Sequence, residues 1–297
     1  LSSLEKGSAM FKRITLRQRS NWTSAFLMVL PFMALYVLFF LYPAFRLFNL
    51  SFYEAPLIGG EPTFVGLENY RRLFDDFFFF KSVRNTFYFV LLSVIPNTLV
   101  GLMFAVMVVR LRRFKAPVLA AFFLPYMLPV SVVTLIWQWL LNTRFGVVQD
   151  FIQLFGGDPI SFFSSPTWGM PAVAFITVWW TVGFNMLLFI AGLQGINKEY
   201  YEAASLDGAT GLQIFRHITW PLLWPITALV LTLQLILQLR IFDQVYLLTG
   251  GGPFNSTLVT LQYVYRVAFQ SFDGGYSSTI AVALFIIVLI ASFGQIW

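Results

Sequence analysis

The chain has 297 residues, of which 58% are hydrophobic and 11% are charged, with a formal net charge of +6. A soluble domain carries about 25% charged residues, so this composition excludes an ordinary water-soluble protein and indicates that lipid is the main solvent. Cysteine is absent, which excludes disulfides, thiolate metal sites and cysteine nucleophiles.

The hydrophobic residues are arranged in long uncharged stretches. A membrane-spanning helix needs about 20 predominantly apolar residues, and we predict an all-α integral membrane protein with six transmembrane helices. A polar tail occupies 1–20 and the transmembrane domain 21–297, with spans at about 22–45, 86–109, 117–141, 171–193, 219–239 and 275–296. A further uncharged stretch, 244–265, contains TGGGPFNST, a Gly/Pro/polar cluster that is typical of a loop.

Basic residues are concentrated on one side of this predicted topology. They occur in the tail and in the connection after the second span, at Lys6, Lys12, Arg13, Arg17, Arg19, Arg110, Arg112, Arg113 and Lys115. Because loops rich in Lys and Arg stay in the cytoplasm, we predict that both termini and the loop at 194–218 are cytoplasmic. Membrane topology then explains the positive charge, and nucleic acid is not an expected partner.

The loop at 194–218 carries the signals of two short helices. Asn197 is a predicted N-cap for a helix that begins at Lys198. Gly208 is a predicted helix end, because glycine accepts the left-handed conformation found there. Thr210 and Gln213 have the spacing of a capping box and predict the start of a second helix. The sequence therefore predicts a helix–turn–helix on the cytoplasmic membrane surface.

The same loop resembles a motif of a known transporter family. Glu202-Ala-Ala, Gly208, Ile218 and Pro221 have the spacing of the EAA motif of binding-protein-dependent ABC importer permeases, although Trp220 stands where the motif usually has Leu. Four other stretches resemble the carbohydrate branch of that family, in the family's order: FVGLENYRRLF at 64–74, RNTFYF at 84–89, FFLPYMLPVSVVTLIWQWLLN at 122–142 and LTGGGPFNSTLVTLQYVYRVAF at 248–269.

This resemblance implies a type I ABC importer permease fold and the role of the F-type partner in a permease heterodimer, as in maltose and sn-glycerol-phosphate transporters. It implies that the EAA loop forms a cytoplasmic coupling helix that docks on an ATPase dimer through Glu202, Ala203, Ala204, Asp207 and Gly208. It also implies a second, homologous permease subunit, an extracytoplasmic sugar-binding protein and a location in the bacterial inner membrane.

ATP and Mg are expected to bind to the partner ATPase. The sequence has no G-x-x-x-x-G-K-[ST] phosphate loop. We therefore expect a transport subunit rather than an enzyme, with no cofactor, metal ligand or catalytic residue of its own.

Polar and aromatic residues within the fourth and fifth spans are candidates for a substrate pathway: Trp180, Gly183, Asn185, Gln234, Gln238, Ile241 and Asp243. Amides hydrogen-bond hydroxyl groups, and an aromatic face covers the apolar side of a pyranose, so the combination suits a neutral sugar. Hydrogen bonds between helices would equally explain the glutamines, and an interfacial belt would explain the tryptophan. An ion pair with Arg240 is an alternative role for the aspartate.

A secondary transporter or channel for a small polar solute is the alternative function. Such a protein needs no ATPase, but it would normally carry acidic residues within its spans for proton or sodium coupling. The predicted spans contain none in mid-membrane.

Overall fold

The computed structural model describes residues 25–111 and 113–296 of the chain. The predicted tail at 1–20, the first residues of the predicted first span, Arg112 and Trp297 lie outside the described residues. In chain order, the described elements are α1 (Ala25–Leu50), β1 (Tyr53–Glu54), β2 (Thr63–Phe64), α2 (Glu68–Asp75), α3 (Phe77–Val109), α4 (Lys115–Phe123, extended by a 3-10 turn at Leu124–Met127), α5 (Val130–Leu140), α6 (Val147–Leu154), α7 (Gly169–Gln194), α8 (Lys198–Leu206), α9 (Gly211–Leu239), α10 (Asp243–Leu248), α11 (Thr260–Phe269) and α12 (Gly274–Ile296).

Among the described residues, five helices are long and apolar enough to cross a membrane, namely α1, α3, α7, α9 and α12. The two short strands pair antiparallel, with Tyr53 opposite Phe64, and form a small ribbon between α1 and α2. The all-α membrane class predicted from the sequence is therefore confirmed.

The predicted third span, 117–141, is not one helix. The segments Lys115–Met127 and Val130–Leu140 meet at a break where the chain direction changes by 99°. Two prolines, Pro125 and Pro129, lie at this break, and proline can neither donate a backbone hydrogen bond nor follow a helical residue easily. Leu128, which precedes the second of them, is extended with ψ 140°. Within the part of the chain that the structure describes, there are six crossings if this bent pair counts as one and five if it does not.

The core lies where α3 and α7 pack together, which is the most extensive contact between any two described elements. Gly101 allows this close approach, because a Cβ there would lie 3.0 Å from the Cβ of Asn185. Met186 and Phe189 of α7 are buried in the same core, and α9 adds Leu223. The end of α7 that carries the EAA loop thus lies beside the end of α3 at Val109.

The opposite end of the bundle is fastened by Asp76, which caps α3. Its Oδ1 accepts from the backbone N–H groups of Phe78 and Phe79 at 2.8 and 3.2 Å. Its Oδ2 accepts from the hydroxyls of Tyr263 and Tyr276, each at 2.5 Å. Burial acts to raise the pKa of the Asp76 carboxyl, but these hydrogen bonds outweigh it and hold the pKa below its ordinary value. One carboxylate therefore joins α3 to α11 and α12. Its cap also explains why α3 begins at Phe77 rather than at 86.

Candidate functional site

The EAA loop forms the two predicted helices, and its predicted caps are confirmed. Asn197 Oδ1 accepts from the backbone N–H of Glu199 at 3.1 Å, at the start of α8. Gly208 has φ +75°, in the left-handed region, just after α8 ends. Both bonds of the Thr210–Gln213 capping box are present at the start of α9. The turn and its flanking helices are thus built from local sequence signals.

The predicted coupling residues lie on an open surface. Glu202, Ala203, Asp207 and Gly208 are exposed, and Ala204 is half-buried. The role of these side chains in docking on an ATPase stays a prediction.

Two large apolar side chains beside this turn were missed by the sequence reasoning. Leu206 is 89% exposed and Leu212 is 77% exposed, on either side of Gly208. Tyr200 of α8 is exposed as well. Exposed apolar groups clustered on a polar segment mark a contact surface. Two leucines flanking a glycine in an otherwise polar loop were the signal that could have identified them.

The loop is attached directly to a membrane span. Helix α9 runs from Gly211 to Leu239 and contains a π-helical turn at Phe215–Thr219, so no break separates the loop's second helix from the span. The hydroxyls of Tyr201 and Thr219 lie 3.3 Å apart and tie α8 to this turn. The second helix of the EAA loop and the membrane span are therefore one continuous element.

Toward the other end of α9 lies a cavity of about 240 Å³ whose wall includes several polar side chains. Five of the seven predicted pathway residues line it: Trp180, Gln234, Gln238, Ile241 and Asp243. The rest of its wall comes from α4, α7, α9, α10 and the connection between α9 and α10: Tyr126, Thr177, Thr181, Phe184, Leu237, Arg240, Phe242 and Gln244. The structure therefore brings most of the predicted pathway together around one space.

Gln234 is the centre of a network of buried amides in this wall. Its Nε2 donates to Asn185 Oδ1 at 2.8 Å. Its Oε1 accepts from Asn97 Nδ2 at 3.2 Å and from Gln238 Nε2 at 3.0 Å. Asn97 also donates to Thr181 Oγ1 at 2.6 Å. The network joins α3, α7 and α9. Gln234 therefore makes the hydrogen bonds between helices that were the alternative role for the glutamines. It also lines the cavity.

The other two predicted pathway residues, Gly183 and Asn185, lie behind the wall. Asn185 is 1% exposed and packs against Gly101 of α3. A Cβ at Gly183 would lie 2.0 Å from the backbone oxygen of Phe122, so this glycine lets α4 rest against α7. Both positions therefore shape the cavity through packing and do not line it.

An aromatic wall faces these amides. Tyr126 stacks on Phe184 with ring centroids 5.0 Å apart, and its ring is 6.4 Å from that of Trp180. The indole Nε1 of Trp180 is buried and has no acceptor among the described residues. Tyr126 was missed because it lies in the turn that breaks the third span, and Asn97 because its partners are distant in sequence.

The mouth of the cavity carries Arg240 and Asp243, both exposed. Both residues are described and they form no ion pair with each other. The space thus combines amide donors and acceptors, hydroxyls, indole and phenol faces, and two opposite charges at its rim. Such a lining can hydrogen-bond a polyhydroxylated, largely uncharged solute and cover its apolar faces.

The same fold occurs in a solved transporter. The chain matches a chain of the crystal structure of a bacterial alginate ABC transporter in complex with an alginate pentasaccharide-bound periplasmic protein, with a TM-score of 0.83 at 22% identity over 93% of each chain.

The sequence is similar along most of its length to named transport proteins. The sulfoquinovosyl glycerol transport system permease protein SmoG of Agrobacterium fabrum is 34% identical over 283 residues, which are 92% of each chain. The trehalose/maltose transport system permease protein MalF of Thermococcus litoralis is 32% identical over 268 residues, 89% of each chain. Residues 97–296 match the family described as binding-protein-dependent transport system inner membrane component. The chain, a multi-pass membrane protein, belongs to this family of transport permeases.

Proposed function

We propose that this chain is the permease subunit of an ATP-binding-cassette importer and forms half of the translocation pathway for a carbohydrate or carbohydrate derivative. The observation that carries the proposal is the amide- and aromatic-lined cavity on α9, the helix that continues from the EAA loop. Two relatives are named for the transport of a sulfoquinovosyl glycerol and of trehalose and maltose, which are all carbohydrates.

A cytoplasmic ATPase dimer docks on the EAA loop. Leu206 and Leu212 offer apolar anchors, and Glu202, Ala203 and Asp207 surround them with small and acidic contacts. ATP and Mg are bound by that ATPase and not by this chain. This assignment places the EAA loop, both termini and the tail at 1–20 in the cytoplasm of a bacterial cell, with the Asp76 end of the bundle outside.

A second, homologous permease subunit completes the pathway. Ligand pockets usually measure about 300–1,000 Å³, so a cavity of about 240 Å³ is smaller than a disaccharide site requires. Helix α1 adds a second argument, since the structure buries none of its apolar window against the rest of the described chain. Lipid and the second subunit share this surface.

The proposal is tested with the complete complex reconstituted in lipid. Glu202→Lys and Gly208→Pro should abolish ATPase association and uptake while leaving membrane insertion of this chain unchanged. Gln238→Ala should lower transport and leave assembly of the complex unchanged. Normal uptake by the first two variants in cells that lack the ATPase would establish the alternative, a secondary transporter or channel.

A further inference from the structure

The TGGGPFNST segment is a loop, as predicted, but its backbone is unusual. Gly250 and Gly251 have φ values of +62° and +87°, which glycine adopts freely. Phe254 and Asn255 follow with φ values of +52° and +57°. A bulky aromatic residue rarely adopts such a conformation, and it persists only where the surroundings enforce it.

Three side chains from neighbouring helices enforce this conformation. Lys81 Nζ donates to the backbone oxygen of Phe254 at 2.7 Å. Asn85 Nδ2 donates to the backbone oxygen of Asn255 at 3.1 Å. Arg266 Nη1 donates to Oδ1 of Asn255 at 2.7 Å. The loop is therefore clamped by α3 on one side and by α11 on the other.

The exposure pattern of the loop is the reverse of what solvation alone would produce. Thr257, a polar residue, is fully buried, and Asn255 and Ser256 are half-buried. Phe254 is 86% exposed and is the one exposed residue between 251 and 260. A phenylalanine ring left in solvent forgoes the free energy that burial of its apolar surface would contribute. The clamps thus hold an apolar ring outward at an energetic cost.

The loop lies at the end of the bundle opposite the EAA loop. Lys81 and Arg84 are charged residues in the first turns of α3, beyond its uncharged stretch. Since charges avoid the hydrocarbon region, the clamped loop lies outside it. An acyl chain is therefore a poor partner for the ring of Phe254.

We propose that Phe254 is the anchor by which the extracytoplasmic binding protein docks on this subunit, with its ring inserted in a shallow apolar recess of that protein. The inference rests on the proposed function, and its partner follows from the family's dependence on a binding protein. Aromatic residues dominate binding hot spots, and a pre-organised loop loses little conformational freedom on association. Both properties belong to this loop and not to an ordinary surface phenylalanine.

The test measures ATPase activity of the complete complex in lipid nanodiscs against the concentration of the binding protein that stimulates the wild-type complex. Phe254→Ala should raise the half-saturating concentration about tenfold or more, which corresponds to about 1.4 kcal/mol, without changing the unstimulated rate. Phe74→Ala is the matched control, because Phe74 is 72% exposed on α2 at the same end and lies outside the clamped loop. It should behave as the wild type.

Two further measurements distinguish the contribution of the Phe254 ring from that of the hydrogen bonds that hold its loop. Lys81→Met, which removes one clamp and leaves the ring, should raise the half-saturating concentration by less than Phe254→Ala does. A photo-reactive phenylalanine analogue at position 254 should crosslink to the binding protein, and the same analogue at position 74 should not. An unchanged half-saturating concentration in Phe254→Ala, or crosslinks only to lipid or to the second permease, would overturn the inference. Absence of any stimulation in the wild-type complex would instead contradict the proposed function.

Discussion

The side-chain amide of Gln234 donates to Oδ1 of Asn185 over 2.8 Å and so joins α9 to α7 inside the bundle. Replacing this residue removes three hydrogen bonds at once, because its oxygen also accepts from Asn97 and Gln238. Gln234→Leu should therefore reduce the free energy of unfolding by about 1–3 kcal/mol, since Oδ1 of Asn185 and Nε2 of Gln238 stay buried and lose this partner. Thermal unfolding of the purified subunit in detergent measures the loss.

The control for this variant is Thr232→Val. Thr232 lies on the same helix, but its hydroxyl donates only to the backbone oxygen of Ala228 in its own turn. Its replacement should change stability by less than about 0.5 kcal/mol. Equal destabilisation by both variants would contradict a specific role of the network.

Gly183 provides a steric prediction. A Cβ at this position would lie 2.0 Å from a backbone oxygen of α4, which cannot rotate away. Gly183→Ala should therefore push α4 from α7 and lower the free energy of unfolding by about 1–3 kcal/mol. Gly294→Ala on α12 is the matched control, because no heavy atom lies within 4 Å of its Cβ. It should be neutral or stabilising, as alanine favours a helix over glycine.

The apolar pair beside the EAA turn makes a prediction about docking. Leu206→Asp combined with Leu212→Asp should weaken association with the ATPase at least tenfold, because both side chains are exposed and ready for burial in a partner. Folding and insertion should be unaffected, since neither side chain packs within this chain. Co-purification of the ATPase measures association. Leu206→Met combined with Leu212→Met, which keeps both side chains apolar, should retain it, and full retention by the aspartate double variant would show that these leucines are not contacts.

The hydrogen-bonded carboxylate of Asp76 should make the stability of the protein depend on pH. The pKa of its carboxyl in the folded state lies below the ordinary value of 3.8. The unfolded chain therefore binds the proton at a higher pH than the folded one. The contribution of this group to stability is fully present above that ordinary pKa and is lost as pH falls through the folded pKa.

Comparing wild type with Asp76→Asn tests this dependence, because asparagine still caps a helix but carries no charge. The difference in melting temperature should be largest between pH 5 and 8 and should shrink below about pH 4. A difference that stays constant down to pH 3 would contradict a role for the carboxylate charge.

Local sequence signals were sufficient to predict where the helices of the EAA loop begin and end. Asn197, Gly208, Thr210 and Gln213 act through neighbours within a few residues, so their spacing predicted the caps that the structure contains. The all-α membrane class also followed from composition, because lipid demands long uncharged helices. These features depend on sequence distances that can be read directly.

Features that depend on packing could not be predicted in the same way. The 99° change of direction between α4 and α5 and the close contact of α4 with Gly183 are both features of the packed helices. The partners of Asn97 lie on other helices. Nothing in the local sequence distinguishes Phe254 from any other apolar residue in a loop. Their roles arise from helix positions that no single stretch of sequence specifies.

The unbroken α9 acts as a lever. Its 29 residues, at about 1.5 Å each, make a rod of about 43 Å. A tilt of about 10° about one end would carry the other through about 7 Å, more than the width of a sugar ring by simple geometry. Under the proposed function, a modest rocking of the EAA-loop end would be enough to change the width of the amide-lined space. Such a movement would need no chain of side-chain rearrangements through the bilayer, because one continuous helix connects the EAA loop to the wall of the cavity.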